Sequence, residues 1–592
     1  MRLILTYSLL ISLLSTLATT IPQLTFGGPD HPDDSQLSKS ILSPKLKIRI
    51  EYLRKKWGVP GLAIGLVASP EFASRVHGTE VEEWKMETAG FGIANRFGEP
   101  VTSDTLFGIA SNSKLFTALC VSLLVHNGTI LKDGKTTLEW NTKIKDIVPE
   151  WKLMDEYASD HANLLDLLSM RSGLPRHDYI SLGRPPAEVV ASLRYLKPSA
   201  ELRENWQYNN HHYVVMDHII HTLTNLSLPE YAQIHLFDPL KMDSTTYNAT
   251  KAAEHHRSDG KQSLKDCVGQ AGSLGWWVDG DALFDAGPGG VILSATDMTK
   301  WVQELLSPSV LPPDLIKKAT TGFSIPSGVP DFPEYGVGTY GLGQRMYTYR
   351  GFAVHGHTGD VPGQVSVMAR LPELGIGLMI AANDQDFGAT LYETVQNEIF
   401  DELLGLAPID WEGRFFAGQF VKPTYPEVPT NPRPPPSFEV AGVYRAPAVG
   451  DLDLIKVSLP KLSETVSASV SPSSGKPLSA SSILSITRAP LNVTGPVYMA
   501  WMGKHFLSAI YVTHFDGPLF NWTAIYATDR LNTTGTDGIL YTAAGTGTVV
   551  VSESEGGIGL FGNMWGKGET AQASVVTEIG VKEASEAWFE KL

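Results

Sequence analysis

The sequence contains few cysteines and few charged residues for its length. Two of its 592 residues are cysteine, Cys120 and Cys267. A disulfide framework is therefore excluded, although a single bridge between these two residues stays open. Charged side chains make up 19% of the chain and leave a net charge of -16. Because no Lys/Arg-dense patch stands out, nucleic acid is excluded as a partner.

Long apolar runs are also missing beyond the N-terminus, so no stable membrane span is expected there. The first residues, MRLILTYSLLISLLSTLATTIP, combine one early Arg with an apolar run and then small residues. This pattern is typical of a secretory signal peptide, residues 1–18, followed by a polar leader, residues 19–42. A membrane anchor needs about twenty apolar residues, and Ser and Thr interrupt this run. We therefore expect a secreted, extracellular protein.

Six Asn-x-Ser/Thr triplets follow the predicted signal peptide. Each can arise by chance, but six behind such a segment favour a glycosylated secreted protein. The candidate glycosylation sites are Asn127, Asn225, Asn248, Asn492, Asn521 and Asn532.

The pattern of strands and helices predicts an α/β (α+β) domain over residues 43–421. The apolar runs LAIGLVAS and GIGLMIAAN favour strands at both ends of this segment, and residues from about 130 to 300 look mostly helical. We expect one sheet flanked by helices, with a helical subdomain inserted. Residues 422–438 form a Pro-rich linker. Short strand-like runs between Gly, Asn and Asp turns then predict a C-terminal all-β domain, residues 439–592.

The most apolar predicted helix begins with two polar residues, Ser111 and Lys114. Residues three apart share a helix face, which holds the amine beside the hydroxyl. Burial and the helix dipole both disfavour an ammonium there, so the pKa of Lys114 should fall, as activation of a serine requires. The N–H of Ser111 could also hold an oxyanion. The alternative is a helix-capping serine beside a lysine that reaches water.

Two further motifs strengthen the functional interpretation. Tyr208 and Asn210 come just before a predicted helix; a phenol can shuttle a proton and an Asn two residues on can bind a substrate amide. The third motif, His357-Thr358-Gly359, precedes a predicted strand. Its glycine would let the backbone lie close to a substrate that pairs with that strand.

Other patterns are weaker, and no metal or organic cofactor is expected. Histidines at 211, 212, 218 and 221 have a metal-like spacing but no His-Glu-x-x-His arrangement. The stretch AGSLG at 271–275 lacks the strand and helix of a nucleophile elbow. The Gly336–Gly341 stretch has no βαβ context for a dinucleotide and is interpreted as a loop.

Together the three motifs resemble those of the serine hydrolases related to penicillin-binding proteins and class C β-lactamases, peptidase family S12, with their esterase and D-aminopeptidase relatives. That family carries Ser-x-x-Lys, Tyr-x-Asn and Lys/His-x-Gly in this order. The stretches WGVPGLAIGLV, LLDLLSMRSGLPRHD and AGPGGVILSATDM are similar as well. The likeness covers about residues 43 to 405, and the β-rich tail is loosely similar to lipocalin-like C-terminal domains of some members.

The resemblance implies a role for each motif residue. Ser111 would be the acylated nucleophile, with Lys114 and Tyr208 as the base and acid pair. The substrate-binding residues would be Asn210, His357, Thr358 and Gly359, and the backbone N–H groups of Ser111 and Asp360 would form the oxyanion hole.

His357 departs from the lysine that lactam-binding members often have, and Asp360 adds a negative charge. A histidine is mostly neutral at pH 7, so both differences favour ester or amide substrates without a carboxylate at that place. We expect a small molecule or short peptide as substrate, with D-amino-acid derivatives among the candidates. Two alternatives stay open: acyl transfer to an acceptor other than water, and an inactive binding protein with the same fold.

Overall fold

The structure is a computed structural model of the whole chain. It describes residues 40–178, 184–263, 271–276, 286–417, 429–457, 496–504, 507–530, 538–562 and 579–592. The predicted signal peptide, most of the polar leader, residues 422–428 of the linker, Cys267, Asn492 and Asn532 lie outside the described residues.

Helices and strands alternate along the first two thirds of the chain, and strands dominate the last third. The helices are α1 Pro44–Trp57, α2 Pro70–His77, α3 Ser113–His126, α4 Ile144–Ile147, α5 Glu156–His161, α6 Leu164–Leu168, α7 Pro186–Ser192, α8 His211–Thr224, α9 Leu228–Ala232, α10 Ala249–Ala253, α11 Ala286–Gly289, α12 Ala295–Leu306, α13 Pro313–Ala319, α14 Gly388–Leu403, α15 Trp411–Ala417 and α16 Val581–Ala584. The strands are β1 Gly61–Ala68, β2 Lys85–Gly92, β3 Leu106–Gly108, β4 Gly260–Ser263, β5 Ala271–Gly275, β6 Ile292–Ser294, β7 Thr339–Tyr340, β8 Arg345–Tyr349, β9 Phe352–Val361, β10 Gln364–Leu371, β11 Ile376–Ala382, β12 Gly442–Ala446, β13 Gly450–Val457, β14 Val497–Lys504, β15 Leu507–Asp516, β16 Leu519–Arg530, β17 Gly538–Ser552, β18 Gly557–Phe561 and β19 Ala587–Lys591.

The main sheet is antiparallel and joins strands from both ends of the α/β domain. Its strand order is β2-β1-β11-β10-β9-β8-β7, with β1 pairing directly with β11. Both strands are buried along their whole length, because helices cover the two faces of the sheet. The predicted single sheet, assembled from the two ends of the domain, is confirmed.

Side chains alternate between the two faces of β1. Leu62, Ile64 and Leu66 pack in one core with residues of α1 and α14, and Ala63 packs in the other core, which includes residues of α3 and α12. Gly65 lets α12 approach closely, since a Cβ there would lie 3.0 Å from the carbonyl oxygen of Ala295. Small residues on this face therefore permit close packing of a helix on the sheet.

The middle of the domain is mainly helical, as predicted, but it contains short strands. Strand β3 pairs with β6, and β4 pairs with β5. The AGSLG stretch is the strand β5 itself, so it is not the strand-to-helix turn of a nucleophile elbow. Part of the stretch interpreted as a loop, Thr339–Tyr340, is strand β7, because it pairs with β8 at the sheet edge.

The C-terminal segment is a closed, eight-stranded antiparallel barrel from β12 to β19. Closure comes from pairing of β12 with β19. The barrel interior includes the buried side chains of Tyr444, Trp522 and Phe589. This confirms the predicted all-β C-terminal domain.

The barrel contacts the α/β domain through a lysine. Lys197 Nζ donates to the carbonyl oxygens of Lys582, Glu583 and Ser585 at 2.7, 2.9 and 3.0 Å. These carbonyls belong to the end of α16, where a cation is favoured by the helix dipole. The contact fixes the barrel beside the segment that leads to Tyr208.

Three of the predicted glycosylation sites, Asn127, Asn225 and Asn521, are exposed. The side chain of Asn248 is partly buried and caps α10 by accepting from Lys251 N. In the described ranges, no helix is both long and apolar enough to cross a membrane.

Candidate active site

Ser111 lies in a 3-10 turn, Ala110–Asn112, that leads directly into α3. We call it the serine turn. Ala110 has φ +50°, a region that residues other than glycine rarely adopt, so the surrounding structure has to hold it. The helix prediction therefore needs one correction: the serine precedes the α-helix and Lys114 lies in its first turn.

Hydrogen bonds from the sheet hold the serine turn in place. Ser366 Oγ, on β10, donates to the carbonyl oxygen of Ile109 at 2.8 Å and accepts from Asn112 Nδ2 at 2.9 Å. On the other side, Ser113 Oγ accepts from Val291 N at 3.0 Å. The turn is thus bonded to two separate elements, which explains how a strained residue can persist there.

Ser111 Oγ lies between an amine and a phenol. Lys114 Nζ is 2.9 Å from it and also donates to the carbonyl oxygen of Pro288 at 2.7 Å. Tyr208 OH donates to Ser111 Oγ at 2.6 Å. Lys114 is fully buried, and burial lowers its pKa. Lys114 and Tyr208, two of the predicted catalytic side chains, are therefore both within hydrogen-bond distance of the third, Ser111.

An ion pair that the sequence reading missed lies beside Tyr208. Arg176 Nε donates to Asp178 Oδ2 at 2.6 Å, and the guanidinium lies 4.7 Å from the centre of the Tyr208 ring. Asp178 Oδ1 accepts from Asn210 Nδ2 at 2.9 Å. The Asn210 Oδ1 atom is buried and has no hydrogen-bond donor among the described residues. The pair thus turns the Asn210 amide so that its oxygen can accept from a ligand.

His357 is buried in its neutral form. Its Nδ1 lies 2.6 Å from the carbonyl oxygen of Thr358, which can only accept, so Nδ1 carries the proton. The Nε2 atom then accepts from Tyr340 OH at 3.0 Å. Burial, with the nearby charges of Arg345 and Lys114, lowers the pKa of His357 to about 3. The expectation of a neutral imidazole here agrees with these contacts.

The predicted position of the third motif needs a correction, because His357-Thr358-Gly359 lies inside β9 and does not precede the strand. Polar residues along β9 hide its strand pattern, but its pairing with β10 runs continuously from His355 to Val361. On the other side, β8 pairs with β9 only up to Gly356. From His357 onward, the backbone of β9 on this side is therefore not paired with β8.

Gly359 packs directly on the serine turn. A Cβ at this position would lie 2.1 Å from the carbonyl oxygen of Ile109, 2.6 Å from Ser366 Oγ and 3.1 Å from the Cβ of Ala110. Only glycine allows this approach. It brings the backbone of residues 359 and 360 next to that of Ser111; the Asp360 carboxylate accepts from Gln385 Nε2 at 3.2 Å.

We expect Gly359→Ala to lower kcat/KM for an ester substrate by about 100-fold, because the new methyl group displaces the serine turn. Steady-state hydrolysis of p-nitrophenyl acetate measures this. Gly328→Ala is the matched control, since no atom lies within 4 Å of a Cβ at that position. Wild-type activity in Gly359→Ala would contradict the packing described here.

The histidines with metal-like spacing do not form a metal site. His211 and His212 are buried in α8 and His221 is exposed. Within the described ranges, no cluster of three or more His, Cys, Asp or Glu side chains could hold a metal ion. Cys120 is a buried free thiol in α3.

The missed residues carried weak sequence signals. Arg176 and Asp178 fall in the stretch LLDLLSMRSGLPRHD, where neither residue belongs to one of the three motifs. Tyr340 and Arg345 lie next to a glycine-rich segment and belong to no motif. Only the folded sheet brings them near His357.

Several known proteins are similar to this chain at low sequence identity. An unguisins hydrolase of Aspergillus violaceofuscus is 28% identical over 453 residues, 68% of this chain and 74% of the relative. Penicillin-binding protein 4 of Amycolatopsis lactamdurans is 23% identical over 415 residues, 67% of this chain and 96% of the relative. The octameric penicillin-binding protein homologue from Pyrococcus abyssi has a similar fold, with a TM-score of 0.51 at 18% identity over 87% of this chain and 97% of that one.

The match of the chain to a family model agrees with the residues found at the site. The Beta-lactamase family model matches residues 50–396, which is more than half of the chain and includes all three motifs. The protein therefore belongs to the Beta-lactamase family and is a serine hydrolase of that family.

Proposed function

We propose that the enzyme hydrolyses ester or amide substrates through an acyl-enzyme on Ser111. The observation that carries this proposal is the position of Ser111 Oγ, 2.9 Å from Lys114 Nζ and 2.6 Å from Tyr208 OH. A serine hydroxyl is a weak nucleophile until a neighbouring base takes its proton. Both groups are close enough to take it.

Lys114 acts as the base of the acylation step. An amine accepts a proton only when it is neutral, and burial lowers the pKa of Lys114 toward that form. Its second contact, to the carbonyl oxygen of Pro288, orients the amine so that its lone pair can face the serine.

Tyr208 carries the proton to the leaving group. Its hydroxyl contacts Ser111 Oγ, and two basic groups lie near its ring: the Lys114 amine at 5.0 Å and the Arg176 guanidinium at 4.7 Å from the ring centre. The Tyr208 hydroxyl gives its proton to the departing atom, and the proton that Lys114 took from Ser111 replaces it on the phenol oxygen.

The substrate lies along the free edge of β9. The N–H groups of Ser111 and Asp360 hold the carbonyl oxygen, because Gly359 brings their backbones together. The unpartnered Asn210 Oδ1 accepts from an amide N–H of the substrate. An extended substrate can add to the edge from His357 onward as a further strand.

The neutral state of His357 determines which class of substrate is expected to bind. A lactam-type carboxylate would find no cation at this position, since the pKa of His357 lies at about 3. A charge-assisted hydrogen bond contributes about 1.5–3 kcal/mol, roughly a 10- to 100-fold difference in affinity. Esters and amides without that carboxylate are the expected substrates, and the name of the unguisins hydrolase is consistent with hydrolysis.

A substrate panel tests this proposal. The full chain is assayed with p-nitrophenyl acetate, D- and L-amino-acid p-nitroanilides and the lactam nitrocefin. We expect kcat/KM for the best ester or anilide to exceed that for nitrocefin by about tenfold or more. Nitrocefin as the best substrate would overturn the argument from His357.

A further inference from the structure

A cavity of about 520 Å³ lies behind the His357–Gly359 motif. It is enclosed by the irregular segment 326–339, strands β8 to β10, and helices α14 and α15. Its walls include four aromatic side chains, Phe332, Tyr335, Tyr347 and Phe415. The acylation chemistry at Ser111 makes no use of this space.

The cavity is placed to receive the leaving half of the substrate. The leaving group departs beside Tyr208, whose ring centre lies 6.2 Å from that of His357. His357 and Gly356 both line the cavity, and β8 stops pairing with β9 at Gly356. The cavity lies on the face of the sheet that α14 covers, whereas Tyr208 lies on the face that α3 covers. A chain that passes His357 and continues around the open edge of β9 therefore reaches the cavity.

Two hydrogen-bond acceptors in the cavity have no donor. Glu393 and Gln396 are three residues apart on α14 and so share a helix face, and both line the cavity. Gln396 is 5% exposed, and its Oε1 atom has no hydrogen-bond partner among the described residues. Glu393 forms no ion pair within 4.0 Å in the same part of the chain. A buried acceptor without a donor is costly, so Gln396 Oε1 favours a ligand that brings N–H groups, and the half-buried Glu393 carboxylate beside it offers such a ligand a second acceptor.

The charges that face the cavity also favour a ligand that brings N–H groups, and in particular a cation. Asp331, Glu393 and Arg345 are its ionisable acidic and basic residues, with His357 held neutral. Burial and the charge of Asp331 raise the pKa of Glu393 to about 7, whereas Arg345 acts in the opposite direction. A cation bound beside Glu393 would favour its ionised form. With both carboxylates ionised, the lining has one negative charge in excess.

We propose that this cavity is the subsite for the leaving half of the substrate and that it takes a basic side chain, whose ammonium or guanidinium binds Glu393 and Gln396. The aliphatic stem packs among the aromatic walls. This proposal rests on the proposed function, because it needs a leaving group that departs past Tyr208.

Product-like inhibitors test the subsite. Lysinamide and norleucinamide have side chains of similar length and differ in the terminal ammonium; argininamide and citrullinamide form a second matched pair. Each is tested as an inhibitor of p-nitrophenyl acetate hydrolysis by the full chain. We expect the charged member of each pair to have a Ki about tenfold lower or more, as for a charge-assisted hydrogen bond.

Glu393→Gln should bring the two Ki values of each pair within about twofold, because it removes the charge and keeps an acceptor. Glu402→Gln is the matched control: the same change on the same helix at an exposed residue that does not line the cavity. Equal Ki values in the wild type, no inhibition, or selectivity that survives in Glu393→Gln would overturn the subsite.

The two proposals fail in different ways. Ester hydrolysis that depends on Ser111 but is inhibited equally by both members of each pair overturns the subsite alone. Hydrolysis that persists in Ser111→Ala overturns the proposed function, and the leaving-group subsite falls with it.

Discussion

Ser111→Ala is expected to lower kcat for p-nitrophenyl acetate by about 10⁴-fold or more, because it removes the oxygen proposed to form the acyl-enzyme. Residual turnover would come from substrate binding and the oxyanion hole. Steady-state kinetics of the purified full chain, with circular dichroism to verify folding, measures the effect.

Ser122→Ala is the matched control for this change. Ser122 is a buried serine of α3, the helix that follows Ser111, and its hydroxyl donates to the carbonyl oxygen of Ala118 at 2.7 Å, away from the site. We expect it to keep activity within about threefold, as for a change remote from the reacting atoms. Ser111→Ala activity within tenfold of wild type would contradict the assignment of the nucleophile.

Lys114→Met is expected to lower kcat/KM by about 10³-fold while the protein stays folded. The substitution removes the base but keeps an unbranched side chain of similar length in a fully buried position. The folded-state pKa of Lys114 lies below its unfolded value of 10.5, so the unfolded chain binds more protons between those two pKa values. Burying this amine therefore costs stability at pH 7, a cost that falls as pH rises toward 10.5.

Methionine removes the stability cost of burying an amine, but it leaves the carbonyl oxygen of Pro288 without its donor, which lowers stability. The two effects on the free energy of unfolding therefore partly offset each other. We expect Tm to change by less than about 5 °C. Differential scanning calorimetry and ester kinetics measure both quantities. Lys261→Met is the control, since Lys261 is also buried with a lowered pKa but lies near Asp259 and Asp384. A Lys114→Met enzyme with normal kcat/KM would exclude the lysine as base.

The sequence was sufficient to predict that Lys114 and Tyr208 meet at the Ser111 hydroxyl. These three residues lie in short motifs whose residue types suggest a shared chemistry. Strands β1 and β11 were also predictable, because strands buried on both faces leave continuous apolar runs. Barrel closure by β12 and β19 was not predictable, because it depends on a pairing between residues almost 150 positions apart.

The geometry around these residues could not be predicted, for specific physical reasons. The positive φ of Ala110 depends on hydrogen bonds that Ser366 on β10 and Val291 make to the residues around the turn, and these partners lie far away in sequence. His357 lies within β9 although its neighbours are polar. Pairing with β10 satisfies the backbone hydrogen bonds of this segment, and it does so regardless of the side-chain types. Arg176 affects Tyr208 only through a contact formed in the fold.

The central claim, a covalent intermediate on Ser111, is tested most directly by labelling the intact protein with a fluorophosphonate and mapping the adduct by peptide mass spectrometry. We predict one phosphonyl group per chain, located on Ser111 and lost in Ser111→Ala. An unlabelled wild-type protein, or an adduct on another residue that persists in Ser111→Ala, would contradict the account.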